Sequence, residues 1–146
     1  MSFLVRSLMS RLPVTVDPDA TLLEAAGLMQ EHHIRHLPVV DRAHHVVGIL
    51  SHRDLVAAGL IGPRSEPLLR EDTRRVGEVM KRILHVVRPD EPVAKAGMMM
   101  LNNRYDCLPV VHAGRLVGIL TPSDFVRLVV ENADRFGATD EPRWRG

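Results

Sequence analysis

Met9 is echoed by Met80, Val16 by Val87, Pro18-Asp19 by Pro89-Asp90, Ala25 by Ala96, Met29 by Met100 and Leu37-Pro38-Val39-Val40 by Leu108-Pro109-Val110-Val111, at a constant offset. One deletion in the second copy then shortens the offset by a residue. From there Gly48-Ile49-Leu50 meets Gly118-Ile119-Leu120, Asp54 meets Asp124 and Val56 meets Val126. A repeat spanning nearly the whole chain means one supersecondary unit used twice. The 146 residues suffice for one ordinary domain, or for two small halves sharing a core, and exclude a second large domain.

Within each copy the hydrophobic period alternates. Val14-Thr15-Val16 reads as a short strand, and Leu22, Ala25, Ala26 and Met29 then recur at helical spacing, with Thr21 and Glu24 as a capping box. Val93, Ala96, Gly97 and Met100 draw the same stripe in the second copy, where Pro92 suits a first helical turn. Leu37-Pro38-Val39-Val40 and the run 46–50 are apolar strands joined by a polar connection of hairpin length. A helix from Asp54 stops at Gly59, whereas its counterpart from Asp124 runs on to about Ala133. The stretch 61–75, with Gly62, Pro63 and Pro67, reads as a linker, and the polar tail 137–146 with its lone Trp144 as frayed. The expected divisions are 1–60, 61–75, 76–136 and 137–146.

The turn Gly48-Ile49-Leu50-Ser51-His52-Arg53-Asp54, repeated as Gly118-Ile119-Leu120-Thr121-Pro122-Ser123-Asp124, carries the chemistry. Each copy is a buried strand ending in a hydroxyl residue, with a carboxylate three positions later at a helix start. Unpaired N–H groups and the helix dipole there favour an anion, and Ser51 or Thr121 adds a donor. Asp54 and Asp124 suit neutral donors such as the two hydroxyls of a ribose. Phosphate donor plus diol acceptor points to a nucleotide. A capping box explains one copy by local structure alone. Two copies in register shift the balance toward a site.

Composition narrows the partners. Hydrophobic residues at 45% and charged residues at 25% are globular, and a formal net charge of +1 gives no basic field for nucleic acid. A single cysteine, Cys107, rules out an intrachain disulfide framework and fits the cytoplasm. Neither a signal peptide nor a membrane-length apolar run is visible, so a soluble, unprocessed chain is expected.

The order β-α-β-β-α, twice, with the Pro-Val-Val strand and the Gly-Ile-Leu-(Ser/Thr)-x-x-Asp turn in both copies, resembles the CBS domain family, named for cystathionine β-synthase. The match covers about residues 5–59 and 76–133. It implies an α/β (α+β) fold of two repeats packed as a pseudo-twofold module, with two clefts between the halves. In many members these bind AMP, ADP, ATP or S-adenosylmethionine, and members form homodimers. Carried over by residue, the resemblance implies that Asp54 and Asp124 hold ribose diols. Ser51 with Arg53, and Thr121 with Ser123, then stand at or beside the phosphate. Arg35-His36 and Asp106-Cys107 resemble the phosphate-side contacts. Met80 and Leu84-His85 are implied as the adenine wall for Asp54, Met9 and Pro13-Val14 as the wall for Asp124, with Ile34 and Tyr105 facing across.

Arg35 and His36 suit a phosphate, whereas Asp106 and Cys107 do not, so the Asp54 site is expected to be the stronger unless Arg35 or Arg104 reaches the Asp124 site. His32-His33-x-x-His36 lacks a second ligand cluster and reads as a solvated helix end, not a metal site. Met98-Met99-Met100 reads as core filler and surface, not a cofactor box, and Cys107 as an inert small hydrophobe. No nucleophile elbow, Gly-rich phosphate loop or Ser-His-Asp arrangement is present. The expectation is therefore a non-enzymatic regulatory module that needs no cofactor, senses an adenine nucleotide and acts on an unidentified protein. The alternative is a ligand-free dimerisation or docking module with vestigial clefts.

Overall fold

The computed structural model describes residues 3–68, 71–83 and 85–136. Leu84 and the tail 137–146, with Trp144, lie outside them. The elements are α1 (Val5–Leu8), β1 (Ser10–Arg11), α2 (Leu22–His32), β2 (His36–Val40), β3 (Val46–Ser51), α3 (His52–Ala57), α4 (Val76–Val79), β4 (Lys81–Arg82), α5 (Val93–Asn103), β5 (Leu108–His112), β6 (Arg115–Leu120) and α6 (Pro122–Glu131), followed by a short 3-10 turn, Ala133–Phe136. The fold mixes helices with two small antiparallel sheets, ordered β1-β6-β5 and β2-β3-β4.

Each sheet takes its third strand from the other repeat. Ser10 and Arg11 pair with Ile119 and Gly118, while Arg82 and Lys81 pair with Gly48 and Ile49. The expected strand at Val14-Thr15-Val16 is narrower than the period suggested. Only Val16 bridges, to Val39 in parallel, as Val87 does to Val110. Pro13 and Pro18 flank the segment and cannot donate to a ladder, which limits it to that single bridge. The true first strands lie five residues earlier, behind the helical turns α1 and α4 that the hydrophobic period did not reveal.

Those turns cross over as well. Val5 and Leu8 of α1 are buried with Ala96, Leu108 and Leu120 of the second repeat, and Val76 of α4 with Leu22, Leu37, Leu50 and Leu55 of the first. Each such leucine, fully withdrawn from water, contributes on the order of 1.5–3 kcal/mol. The crossing chains are tied by backbone bonds: Val5 N to Glu91 O at 2.9 Å and Val93 N to Phe3 O at 2.9 Å are mirrored by Val76 N to Ala20 O at 2.8 Å and Leu22 N to Arg74 O at 3.1 Å.

Gly48 and Gly118 sit where the borrowed strands press on the sheets. A Cβ at Gly48 would stand 2.5 Å from Met80 Sδ and 2.9 Å from the Lys81 carbonyl oxygen. At Gly118 it would stand 2.6 Å from Met9 Sδ and 2.9 Å from the Ser10 carbonyl oxygen. The Gly-Ile-Leu pattern therefore records close approach between repeats.

The stretch 61–75 is anchored on the first repeat. Leu60 and Ile61 are buried, Gly62 N donates to Glu66 O at 2.8 Å, and the Arg74 guanidinium bonds the Ala58 carbonyl at 2.8 Å while pairing with Asp72 at 2.6 Å. Among the described residues no helix is long and apolar enough to cross a membrane.

Candidate functional site

Both strand-to-helix turns close as capping boxes. Ser51 N–H donates to Asp54 Oδ2 at 2.8 Å and Asp54 N–H to Ser51 Oγ at 3.1 Å, while Thr121 N–H donates to Asp124 Oδ2 at 2.8 Å. The local account is thus satisfied in both copies, and it consumes one carboxylate oxygen in each. The other oxygen faces a cation. Asp54 Oδ1 lies 3.7 Å from Lys81 Nζ on the borrowed strand β4, and Asp124 Oδ1 accepts from Arg127 Nη2 at 2.8 Å. The two aspartates are 8% and 3% exposed.

Two clefts open between the repeats. The one beside Thr121 and Ser123 has a volume of about 700 Å³. Its lining combines the apolar Leu12, Pro13, Val14, Ile34 and Ile119 with the polar or charged Arg35, His36, Ser51, Arg53, Asp106, Thr121 and Ser123. The cleft beside Asp54 is about 190 Å³, lined by Ser51, Lys81, Arg82, His85, Arg104 and Tyr105 among others. It is narrowed by the His85 Nδ1 to Tyr105 Oη hydrogen bond, 2.5 Å, which draws the two rings to 5.7 Å between centroids. His36, Ser51 and Asp106 line both clefts. Between them Arg53 Nη1 reaches Asp106 Oδ2 at 3.3 Å, an ion pair from one repeat to the other.

A model of the CBS domain matches residues 5–60 and again 76–131. The chain belongs to the CBS domain family. A CBS domain pair crystallised with 5′-methylthioadenosine and S-adenosyl-L-methionine superposes with a TM-score of 0.75 at 30% identity, over 96% of this chain and 100% of that one. CBSX2 in complex with AMP gives a TM-score of 0.74 at 30% identity, over 88% of this chain and 97% of that one. An L-aspartate semialdehyde sulfurtransferase of Methanocaldococcus jannaschii is 32% identical over 86% of this chain, which spans 23% of that protein's length.

Most of the residues expected on the CBS clefts stand there, with their partners rearranged. Pro13, Val14 and Ile34 wall the Thr121 side, and His85 and Tyr105 the Asp54 side. Met9 and Met80 do not line the clefts, because their thioethers are spent against Gly118 and Gly48. Leu84 lies outside the described residues. Arg35 lines the larger cleft, beside Thr121 and Ser123, which is the condition under which the Asp54 site was not expected to be the stronger. Burial holds the His36 imidazole below its usual value; Asp106 opposes this and Arg53 reinforces it. Positive charge in the larger cleft therefore comes from Arg35 and Arg53. Such a cleft suits a ligand that is flat and apolar at one end and anionic at the other.

Lys81, Leu12 and Arg127 escaped the sequence reading. Lys81 faces Asp54 only because β4 crosses to the other repeat. Leu12 enters through its left-handed backbone, φ 49°, and Arg104, which the sequence offered to the Asp124 side, lines the smaller cleft. Arg127 stands three residues after Asp124 on the same helix face. His33, in the left-handed conformation at φ 53°, caps α2 and breaks the helical face that His32 and His36 would have shared. Among the described residues no group of three or more His, Cys, Asp or Glu side chains is placed to hold a metal ion.

Cys107 is buried, and burial pushes its thiol up to about 12, with Asp124 and then Asp106 adding to the shift. Since the thiolate is the nucleophile, Cys107 in the folded chain should resist iodoacetamide at pH 8 and react fully in denaturant. Rapid labelling of the native protein, followed by mass spectrometry, would contradict this burial.

Proposed function

We propose that this CBS pair is a regulatory module that binds an adenosine-containing ligand, an adenine nucleotide or S-adenosylmethionine, between its repeats and performs no chemistry on it. The observation that carries the reading is the cleft of about 700 Å³, whose lining mixes apolar side chains with arginines and hydroxyl residues. Its Pro13, Val14 and Ile34 suit a purine ring, and its Arg35, Arg53, Ser51, Thr121 and Ser123 suit a phosphate or another charged tail. The ligands of the related pairs share the adenosine moiety that these residues would select. Asp124 supplies the diol acceptor behind the rim, and the Asp54 cleft is a second, narrower site.

A regulator must couple occupancy to shape, and a ligand shifts an equilibrium only by its preference for one state. The Arg53–Asp106 pair and the two exchanged strands link the repeats beside the clefts, which supports such coupling. The output passes to a separate protein or to a second copy of the chain, in the cytoplasm, and the module needs no cofactor of its own.

The test is thermal denaturation with AMP, ATP and S-adenosylmethionine in turn. At a hundredfold excess over the dissociation constant, one occupied site adds about 2.7 kcal/mol, which raises the melting temperature by roughly 5–10 °C. A rise with none of them would favour the assembly reading. In that reading the exposed apolar residues Met98 and Leu101 of α5 and Val126, Val129 and Val130 of α6 pair protomers, and the clefts are vestigial.

A further inference from the structure

Each oxygen of Asp124 already carries a donor. Oδ2 takes the Thr121 N–H at 2.8 Å and Oδ1 takes Arg127 Nη2 at 2.8 Å, and the carboxylate lies behind the Thr121–Ser123 rim of the larger cleft and not on its surface. Arg127 is far less confined. Its side chain is 50% exposed, its Nε lies 4.0 Å from Glu131 Oε1 one turn further along α6, and its Nη2 also touches the Leu8 carbonyl of α1 at 3.4 Å. The first repeat has no such arrangement, since Ala57 stands at the corresponding position and the cation beside Asp54 comes from across the sheet.

Building on the ligand reading above, we propose that Arg127 is an internal competitor for the ribose: it holds the Asp124 oxygen that a vicinal diol needs, and a ribose binds only by displacing the guanidinium toward Glu131. Leaving a buried carboxylate oxygen without a donor is costly, so guanidinium and diol compete for the same oxygen. The exchange sets a threshold that a ligand lacking a hydroxyl does not pass, which makes Arg127 a specificity-determining residue. It also releases the Leu8 carbonyl and loosens α6 from α1. Helix α6 carries the exposed Val126, Val129 and Val130, and so becomes the element that reports occupancy.

The experiment is calorimetric titration with AMP and with 2′-deoxy-AMP, carried out in the Asp54→Asn background so that the heat belongs to the Asp124 side. Arg127→Met should bind AMP about tenfold more tightly than its parent, the scale of one charge-assisted hydrogen bond, while 2′-deoxy-AMP gains much less. Glu131→Gln removes the alternative resting place on an exposed helix face, and should weaken AMP binding by about two- to fivefold, without touching the buried carboxylate. The proposal falls if Arg127→Met gains nothing, if it gains equally for both nucleotides, or if Glu131→Gln leaves AMP affinity unchanged. Absence of AMP binding in the parent as well would instead overturn the ligand reading, and the Arg127 proposal with it.

Discussion

Gly118→Val lowers the unfolding free energy by about 3 kcal/mol, the upper end for an overpacked interior, and the melting temperature by roughly 6–12 °C; Gly48→Val does the same. The argument rests on what the added carbon meets. At Gly118 it falls 2.6 Å from Met9 Sδ, which can swing aside, and 2.9 Å from the Ser10 carbonyl oxygen, which cannot move without lifting β1 from β6. Met9→Ala should therefore restore only part of the loss. Gly27 provides the contrast, because a Cβ there meets nothing within 4 Å and its place in the middle of α2 favours alanine. Gly27→Ala should leave stability unchanged or raise it by about 0.5–1 kcal/mol. Equal tolerance of valine at 118 and alanine at 27, read from circular-dichroism melts, would contradict the close approach of the repeats.

Arg35→Ala should cut affinity for AMP about tenfold, one charge-assisted contact in an open cleft, and leave adenosine binding unchanged. The side chain lines the larger cleft, whereas purine packing would fall to Pro13, Val14 and Ile34. The comparison of AMP with adenosine is decisive because both ligands share every contact except the phosphate. A parallel loss for both would mean that Arg35 shapes the cleft and does not meet the anion. The difference should shrink as salt rises, since Arg35 is exposed and its field is screened.

The doubling of the chain was open to inspection at the level of residues, because Gly-Ile-Leu followed by a hydroxyl and an aspartate recurs in register. The four long strands and the two long helices followed from period alone. Strands of two residues such as β1 and β4 carry no period, and nothing local says that they leave their own repeat for the other. That single non-local fact is why the cleft that Arg35 lines stayed open in the sequence, since which cleft a residue lines depends on how the halves interlock. It also explains Lys81 beside Asp54. Met9 and Met80 show the same limit: their correspondence was plain, but their role as plugs over Gly118 and Gly48 requires the opposite strand in place. The partner of Asp124 was hidden for a different reason. A carboxylate poised to grip and one already gripped by Arg127 have the same sequence, and only the rotamer tells them apart.

Because each sheet is completed by a strand from the opposite half, neither half carries a finished edge of its own. Severed between 61 and 75, the two fragments would each expose an unpaired strand and an uncovered apolar surface, and should be recovered only when co-expressed, as complementing pieces or as chains that trade strands with a neighbour. Two units so clasped have no independent hinge, and a strain introduced at either reaches both.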